Sequence, residues 1–424
     1  MLWPLLLLTA ATPPALPSTA LDTYSEFRRI AAQPLWPGFD PFVTPIEVFD
    51  GHDTYLFAHP NPPAGFRPVD GASVFAGRHE TVRANTGTPV NGIPTATADL
   101  SPARSRQAMA ALLVHEAFHV YQRKAHPTWV GNEADLFTYP FDDSVALAAR
   151  RLETLALVHA LSNAETETAR AWARTALAER SERFRRLPPA AAAYERGTEL
   201  SEGLAQFVEF KSIGRAAALT PADFPPEEVR SRCYASGQAI ATLLDRMAAG
   251  WESAMDTTAL DQVLRDRVGA GPQAALGPEI IAAEQRRAAR DVEGLINKRR
   301  GRETEYRAAH GWRIEILAGK EPLWPQGFDP LNVSVLGAGN VLHTRWIKLG
   351  NGNGSCEVLG RPSLTEAAGE HPLFQGVRRF LVTGLAKPTV GEKDGKVTID
   401  GEGVTVSFAG RLERSGESLV LRLP

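Results

Sequence analysis

Cysteine is nearly absent from this 424-residue chain: only Cys233 and Cys356 occur. Two cysteines can make one disulfide at most. That excludes a disulfide-built fold, and the pair is too sparse for a thiolate metal site. An excess of one charge sign is also missing. The 46 basic and 49 acidic residues leave a net charge of −3, so the chain as a whole has no pull toward nucleic acid or an anionic membrane. Long apolar runs are lacking too. The strongest, Leu2-Trp3-Pro4-Leu5-Leu6-Leu7-Leu8, is well short of the ~20 residues that a spanning helix needs. It has the pattern of a secretory leader. Ala-, Thr- and Pro-rich sequence follows, and Ser18-Thr19-Ala20 offers small residues where a signal peptidase reads. We expect residues 1–20 to be a signal peptide and the mature chain to begin near Leu21. The protein is then secreted or periplasmic, with no stable membrane insertion and no nucleic-acid partner.

What is present is ordinary globular material, with 43% hydrophobic and 22% charged residues, long enough for two or three domains. The composition divides it into an α+β arrangement. Residues 21–100 hold short apolar runs between turn signals, such as Ile46-Glu47-Val48-Phe49 and Thr54-Tyr55-Leu56-Phe57 around Asp50-Gly51. They read as a small twisted β-rich subdomain. Its last run, Ile93 to Leu100 after the Asn91-Gly92 turn, reads as an edge strand because Pro94 cannot donate to a ladder. Such an edge can take an extended peptide by strand addition, or simply be solvated.

Residues 101–300 read as helical. Ser101-Pro102 is a helix start, with a helix running to about Lys124 and ended by His126-Pro127. Trp129 to Asp143 is a loop. Further helices are expected over Ser144–Leu161, Glu165–Leu187, Ala190–Lys211 and Val229–Ala249, with shorter ones to about Arg300. The Arg- and Lys-rich stretch Glu284–Arg302 has acids interleaved and no aromatics, so it reads as a solvated helix face. Residues 301–424 read as a β-rich C-terminal domain, with a hairpin across Val397–Phe408 and a last strand over Ser418–Leu423. One echo links the two β-rich ends. Leu35-Trp36-Pro37-Gly38-Phe39-Asp40-Pro41 recurs as Leu323-Trp324-Pro325-Gln326-Gly327-Phe328-Asp329-Pro330, and reads as one small structural element used twice.

The stretch that carries chemistry is Leu112 to Gln122, which contains His115-Glu116-x-x-His119. Residues four apart share a helix face, so both imidazoles can reach one metal ion. Glu116 is then placed to take a proton from water activated at that ion. Two histidines on a helix can also be core or surface residues. Here Leu112, Leu113, Phe118 and Val120 would bury the helix, and buried polar groups need partners or a metal. A catalytic zinc site takes a third protein ligand and keeps one position open. Glu133, Glu153, Glu199, Glu202 and Glu209 are the carboxylate candidates. Glu202 is favoured because small Gly203 and Ala205 follow it and allow close helix approach; its alternative is an ion pair on a solvated face. For the second ring nitrogens of the histidines, Glu199 is the expected carboxylate partner, with Glu153 as the other candidate.

His115-Glu116-x-x-His119 with the later Ser201-Glu202-Gly203-Leu204-Ala205 resembles the gluzincin metallopeptidases, whose aminopeptidase branch carries a similar Asn-Glu-Gly-Phe-Ala segment. The resemblance covers roughly residues 100–250. It implies zinc as cofactor, Glu202 as third ligand beside His115 and His119, and Glu116 as general base. Tyr234-Ala235-Ser236-Gly237 matches that branch's Tyr-x-x-Gly segment, which implies that Tyr234 stabilises the oxyanion; a core aromatic is its other reading. Glu202 lies 83 positions after His119, a far longer insertion than in the aminopeptidases. The Gly-x-Met-Glu-Asn segment that captures a free amine there is missing. The expectation is an exported zinc peptidase acting on peptides or proteins. The alternatives are a zinc hydrolase of another amide or ester and a non-catalytic envelope binding protein.

Overall fold

A computed structural model describes residues 18–424, apart from 70, 101–103, 164, 218, 221–223, 257, 331 and 338. It is an α+β molecule with a small sheet, a helical middle and a β-rich end. Most of the expected leader lies outside the described residues. Ser18 to Ala20 form the first turn of helix α1 (Ser18–Ile30). This helix is absent from the β-rich reading of residues 21–100. It packs on the sheet through Tyr24, whose ring stacks on Phe57 with centroids 4.1 Å apart.

The first sheet comprises β1 (Ile46–Phe49), β2 (Asp53–Phe57), β3 (Arg67–Val69), β4 (Ala72–Ala76), β5 (Thr86–Val90) and β6 (Ile93–Asp99). The order is β3-β4-β2-β1-β6-β5. The hairpin around Asp50-Gly51 forms as expected, with Phe49 opposite Thr54. The edge assignment does not hold. β6 is an inner strand, parallel to β1 on one side and antiparallel to β5 on the other. Pro94 is tolerated because pairing with β1 begins only at Ala96, so the missing N–H falls beyond the end of β1. The edge is β5.

The helical part runs from α2 (Arg106–Ala125) through α3 (Ser144–Ser162), α4 (Thr166–Arg186), α5 (Pro189–Thr198), α6 (Leu204–Ser212), α7 (Val229–Met247) and α8 (Leu260–Val268) to α9 (Pro278–Arg307). The expected start at Ser101-Pro102 lies outside the described residues. α2 begins after Ser105, whose hydroxyl accepts the Ala108 N–H at 3.2 Å. The loop after α2 contains a 3-10 turn, Glu133–Thr138. The expected single helix over 190–211 is interrupted. Between α5 and α6 lies a π-turn, Glu199–Gly203, closed by a Leu204 N–H bond to Glu199 O. α2 is wedged between the sheet, α1 and α6. Its Phe118 meets Trp36, which also packs edge-on to Trp129 and Trp251. α9 lies on α3, extends past residue 300 and leaves most of its basic side chains in solvent.

The C-terminal strands are β7 (Trp312–Leu317), β8 (Trp324–Phe328), β9 (Val333–Gly337), β10 (Asn340–His343), β11 (Trp346–Asn351), β12 (Gly354–Leu359), β13 (Ser363–Ala367), β14 (Val377–Leu385), β15 (Thr389–Lys393), β16 (Lys396–Gly401), β17 (Val404–Ala409), β18 (Arg411–Ser415) and β19 (Ser418–Arg422). They make two sheets, β18-β19-β7-β14-β13-β10-β9 and β15-β16-β17-β12-β11-β8. Alternate residues such as Ile314 and Ile316 from one, and Val404, Val406 and Phe408 from the other, share one core. Phe137 of the 3-10 turn joins that core and meets Phe328 and Phe374 edge-on. The turn between helices is thereby pinned to the β-rich end.

One further expectation is corrected. The repeated Trp-Pro segment is not one element used twice. Its first copy is a turn with Trp36 buried, and its second is strand β8 with Trp324 exposed. Cys233 and Cys356 are free thiols, each buried in a separate cluster.

Candidate metal centre

α2 presents His115, Glu116 and His119 along the side of the helix that faces the π-turn and α7. His115 and Glu116 are buried, and the two imidazole centroids lie 4.7 Å apart at nearly right angles. The third group arrives on the π-turn. Gly203 faces Gly237 of α7 so closely that a Cβ on Gly203 would lie 2.7 Å from Gly237 Cα. Side chains on either residue would push the helices apart, so the small residues at this crossing are what let Glu202 reach α2.

Glu202 Oε2 stands 3.1 Å from His119 Nε2 and 3.6 Å from His115 Nε2. The three donor atoms lie within 4.8 Å of one another. The far ring nitrogens are also held. His115 Nδ1 lies 3.0 Å from Glu209 Oε2, and His119 Nδ1 lies 2.9 Å from Gln122 Oε1. Gln122 Nε2 donates to the carbonyls of Leu200 and Ser201, both at 3.0 Å, which fixes its oxygen toward His119. A carboxylate and an amide oxygen only accept, so each Nδ1 carries the proton and donates. In the neutral rings each Nε2 then presents a lone pair toward the same Glu202 oxygen. Two ring nitrogens and a carboxylate oxygen thus converge as the donor set of a His-His-Glu metal site would.

The electrostatics agree with a site built for a cation. Burial works against charging His115, yet hydrogen bonds from its ring to Glu202 and Glu209 outweigh it and raise its pKa to about 10. For Glu202, burial favours protonation, but hydrogen bonds from His115 and His119 hold its carboxyl well below the usual range. Glu116 is pushed up by burial, and its Oε2 is buried without a hydrogen-bond partner among the described residues. It lines a cavity of about 640 Å³ together with His115, His119, Glu202, Arg230 and Tyr234.

Tyr234 lies nearly parallel to the His115 ring, centroids 6.3 Å apart. Burial, and next the Glu202 charge, raise its hydroxyl pKa well above 10, so it remains a donor at neutral pH. Arg230 was not foreseen. Its Nη2 donates to Glu202 Oε1 at 2.9 Å, its Nε to Glu133 Oε1 at 3.0 Å, and its guanidinium stands 5.1 Å from the Tyr234 ring centroid. It anchors the Glu202 oxygen that faces away from the histidines.

The sequence candidates thus separate. His115, Glu116, His119, Glu202 and Tyr234 meet in one cavity. Glu133 pairs with Arg230 instead of joining the donor set. The expectation that Glu199 or Glu153 would hold a histidine ring is wrong. Both accept from Arg180 in a separate buried cluster, and Glu209 and Gln122 take the ring nitrogens. Gln122 was accessible from spacing, since it follows His119 by three positions on the same helix. Arg230 has no such signal. No protein-family model, curated protein or solved structure matches the chain.

Proposed function

We propose that the chain is an exported, zinc-dependent peptidase of the gluzincin type, with His115, His119 and Glu202 as metal ligands. The observation that carries this reading is the convergence of both Nε2 atoms and Glu202 Oε2 beside Glu116, whose buried Oε2 has no hydrogen-bond partner among the described residues. Zinc, when bound, would polarise a carbonyl and make water more acidic. The remaining roles belong to the chain. Glu116 takes the proton of the attacking water and passes it to the leaving amine. Tyr234, kept protonated, donates to the oxygen that gains charge. Glu209 and Gln122 hold the imidazoles in the tautomer that exposes Nε2, and Arg230 keeps Glu202 turned toward them.

A peptide substrate is supported by β5. Asn85, just before this edge strand, and Thr86 within it line the same cavity, and an edge strand can pair with extended backbone. Export rests on the apolar opening and the small residues at Ser18-Thr19-Ala20. Among the described residues no helix is long and apolar enough to cross a membrane.

Glu116→Gln tests the mechanism. Turnover of a broad peptide library should fall by about 10²- to 10⁴-fold while zinc remains bound. Unchanged turnover with zinc in place overturns it. Zinc below about 0.2 per chain, with no gain on adding the metal, would remove the enzyme reading altogether and favour a binding protein.

A further inference from the structure

A second cavity of about 390 Å³ adjoins the metal cleft, and Glu133 and Arg230 line both. Its far side is one face of α9, where Leu295, Lys298, Arg299 and Arg302 follow at helical spacing. Its floor is apolar. Phe137 and Phe141 come from the segment between α2 and α3, and Val333 and Val335 from β9.

The charges in this cavity are unevenly matched. Arg230 has Glu133, Lys298 lies 3.4 Å from Glu227, and the third acid of the lining, Glu228, accepts from the Ser231 hydroxyl at 2.7 Å. Arg302 reaches only a hydroxyl among the described residues, Ser334 Oγ at 3.1 Å. Among the described residues Arg299 makes no hydrogen bond and no ion pair; its guanidinium rests 5.3 Å from the Phe141 ring centroid. Glu227 and Asp142 are close enough to be felt, but neither reaches ion-pair distance. A partly buried guanidinium without a carboxylate is an uncompensated desolvation, and burial lowers the Arg299 pKa accordingly. Two guanidiniums above an apolar floor offer fork-shaped recognition of a carboxylate carried on an apolar chain.

We propose that this second cavity is a binding subsite for a carboxylate group of an extended peptide whose chain continues into the metal cleft, with Arg299 and Arg302 as the recognition residues. The carboxylate can be an acidic side chain or the peptide's own C-terminus. The proposal rests on the reading of the substrate as a peptide, but it is tested by binding alone, so that failure of hydrolysis leaves it standing.

The experiment uses the full chain carrying Glu116→Gln, to prevent turnover, and three fluorescent peptides of one apolar sequence. One is neutral and C-terminally amidated, one is amidated with a Glu near the C-terminus, and one is neutral with a free C-terminal carboxylate. At least one carboxylate peptide should bind about tenfold more tightly than the neutral amide, the size of one charge-assisted pair. Which of the two does so identifies the source of the carboxylate. Arg299→Gln with Arg302→Gln, both on an outer helix, should abolish the preference. Arg299→Glu should turn it toward a Lys-bearing peptide. Equal binding of all three peptides, or a carboxylate preference that survives the double variant, overturns the proposal. Binding with this preference in a chain that cleaves no peptide supports the subsite and counts against the peptidase reading only.

Discussion

Two buried charge clusters lie side by side in the helical part, and they are built on opposite principles. In the first, Arg180, Arg183 and Arg232 face Glu153, Glu195 and Glu199, all at most 2% exposed. Glu153 alone accepts from Arg180 at 2.7 Å, Arg183 at 2.8 Å and Arg232 at 2.7 Å. Tyr139 adds a bond to Glu195 Oε1 and Ser236 one to Glu199 Oε1, the oxygens that Arg183 and Arg180 also reach, while Glu195 Oε2 makes no hydrogen bond among the described residues and lies 3.7 Å from Arg232 Nη1. Every charge has its opposite within 4.0 Å. In the second, two imidazole Nε2 atoms and a carboxylate oxygen converge, and a second carboxylate, Glu116, has an oxygen with no hydrogen-bond partner among the described residues. The first cluster is closed and ties α3, α4, α5 and α7 together. The second gathers its ring nitrogens and acids beside a cavity. Burial of ionisable groups does not by itself mark a functional site; a carboxylate beside a cavity that no guanidinium or ammonium reaches, as Glu116 is among the described residues, is the better sign.

Removing one member should cost the closed cluster most. Arg180→Ala leaves Glu153 and Glu199 short of a partner, and should lower the unfolding free energy by about 3–5 kcal/mol in chemical denaturation, with or without metal. A loss below about 1 kcal/mol would mean that the cluster is solvated in practice, and the contrast would collapse. The open cluster should respond to metal instead. Zinc at a thousandfold excess over its Kd should stabilise the native chain by about 4 kcal/mol, and His119→Ala should lose that gain while leaving metal-free stability nearly unchanged. Next in size is Glu209→Gln. It keeps the shape but weakens the charge on the His115 ring, and should cost about 10- to 100-fold in zinc affinity by competition titration. Glu199→Gln should leave zinc affinity alone, since its carboxylate belongs to the other cluster.

The mildest effect is the response to acid. Glu153 and Glu195 are buried, which opposes ionisation, but the arginines overcome this and hold both below the usual carboxylate range. A lowered native pKa gives stabilisation that is complete above the unfolded value near 4.3 and is lost as pH falls through the native one. On acidification the melting temperature of metal-free protein should therefore drop most steeply below about pH 4, where these carboxylates take up protons. A shallower loss beginning near pH 6 belongs to His343, whose burial lowers its pKa to about 3, so that it takes a proton only on unfolding; the absence of a further loss below about pH 4 would count against the cluster.

Much of the site was legible because its information is local. Histidines four apart share a helix face whatever the rest of the fold does, and Gly203 announced a close crossing, which the facing Gly237 makes. The layout of sheet, helices and sheet followed from periodicity. What stayed hidden depends on distant partners. β6 looked like an edge because of Pro94, but its pairing with β1 is set by sheet order and not by its own residues. Trp36 and Trp324 sit in nearly the same heptapeptide and differ only in what surrounds them, three aromatic side chains in one case and solvent in the other. Five acids were candidates for one ligand position. Sorting them required knowing where Arg180, Arg230 and His115 would stand.

The widened turn at Glu199–Gly203 makes a single helical segment serve as a fork. In a regular helix, carboxylates three apart lie over one face. Here Glu199 turns to Arg180 and Ser236, while Glu202 turns to the two histidines and Arg230. Deleting one residue to restore regular pitch would swing one acid out of its cluster, so the scaffold and the reactive centre are indexed to the same register. The spare residue in this turn is therefore not slack: it keeps two neighbouring charge systems from claiming the same carboxylate.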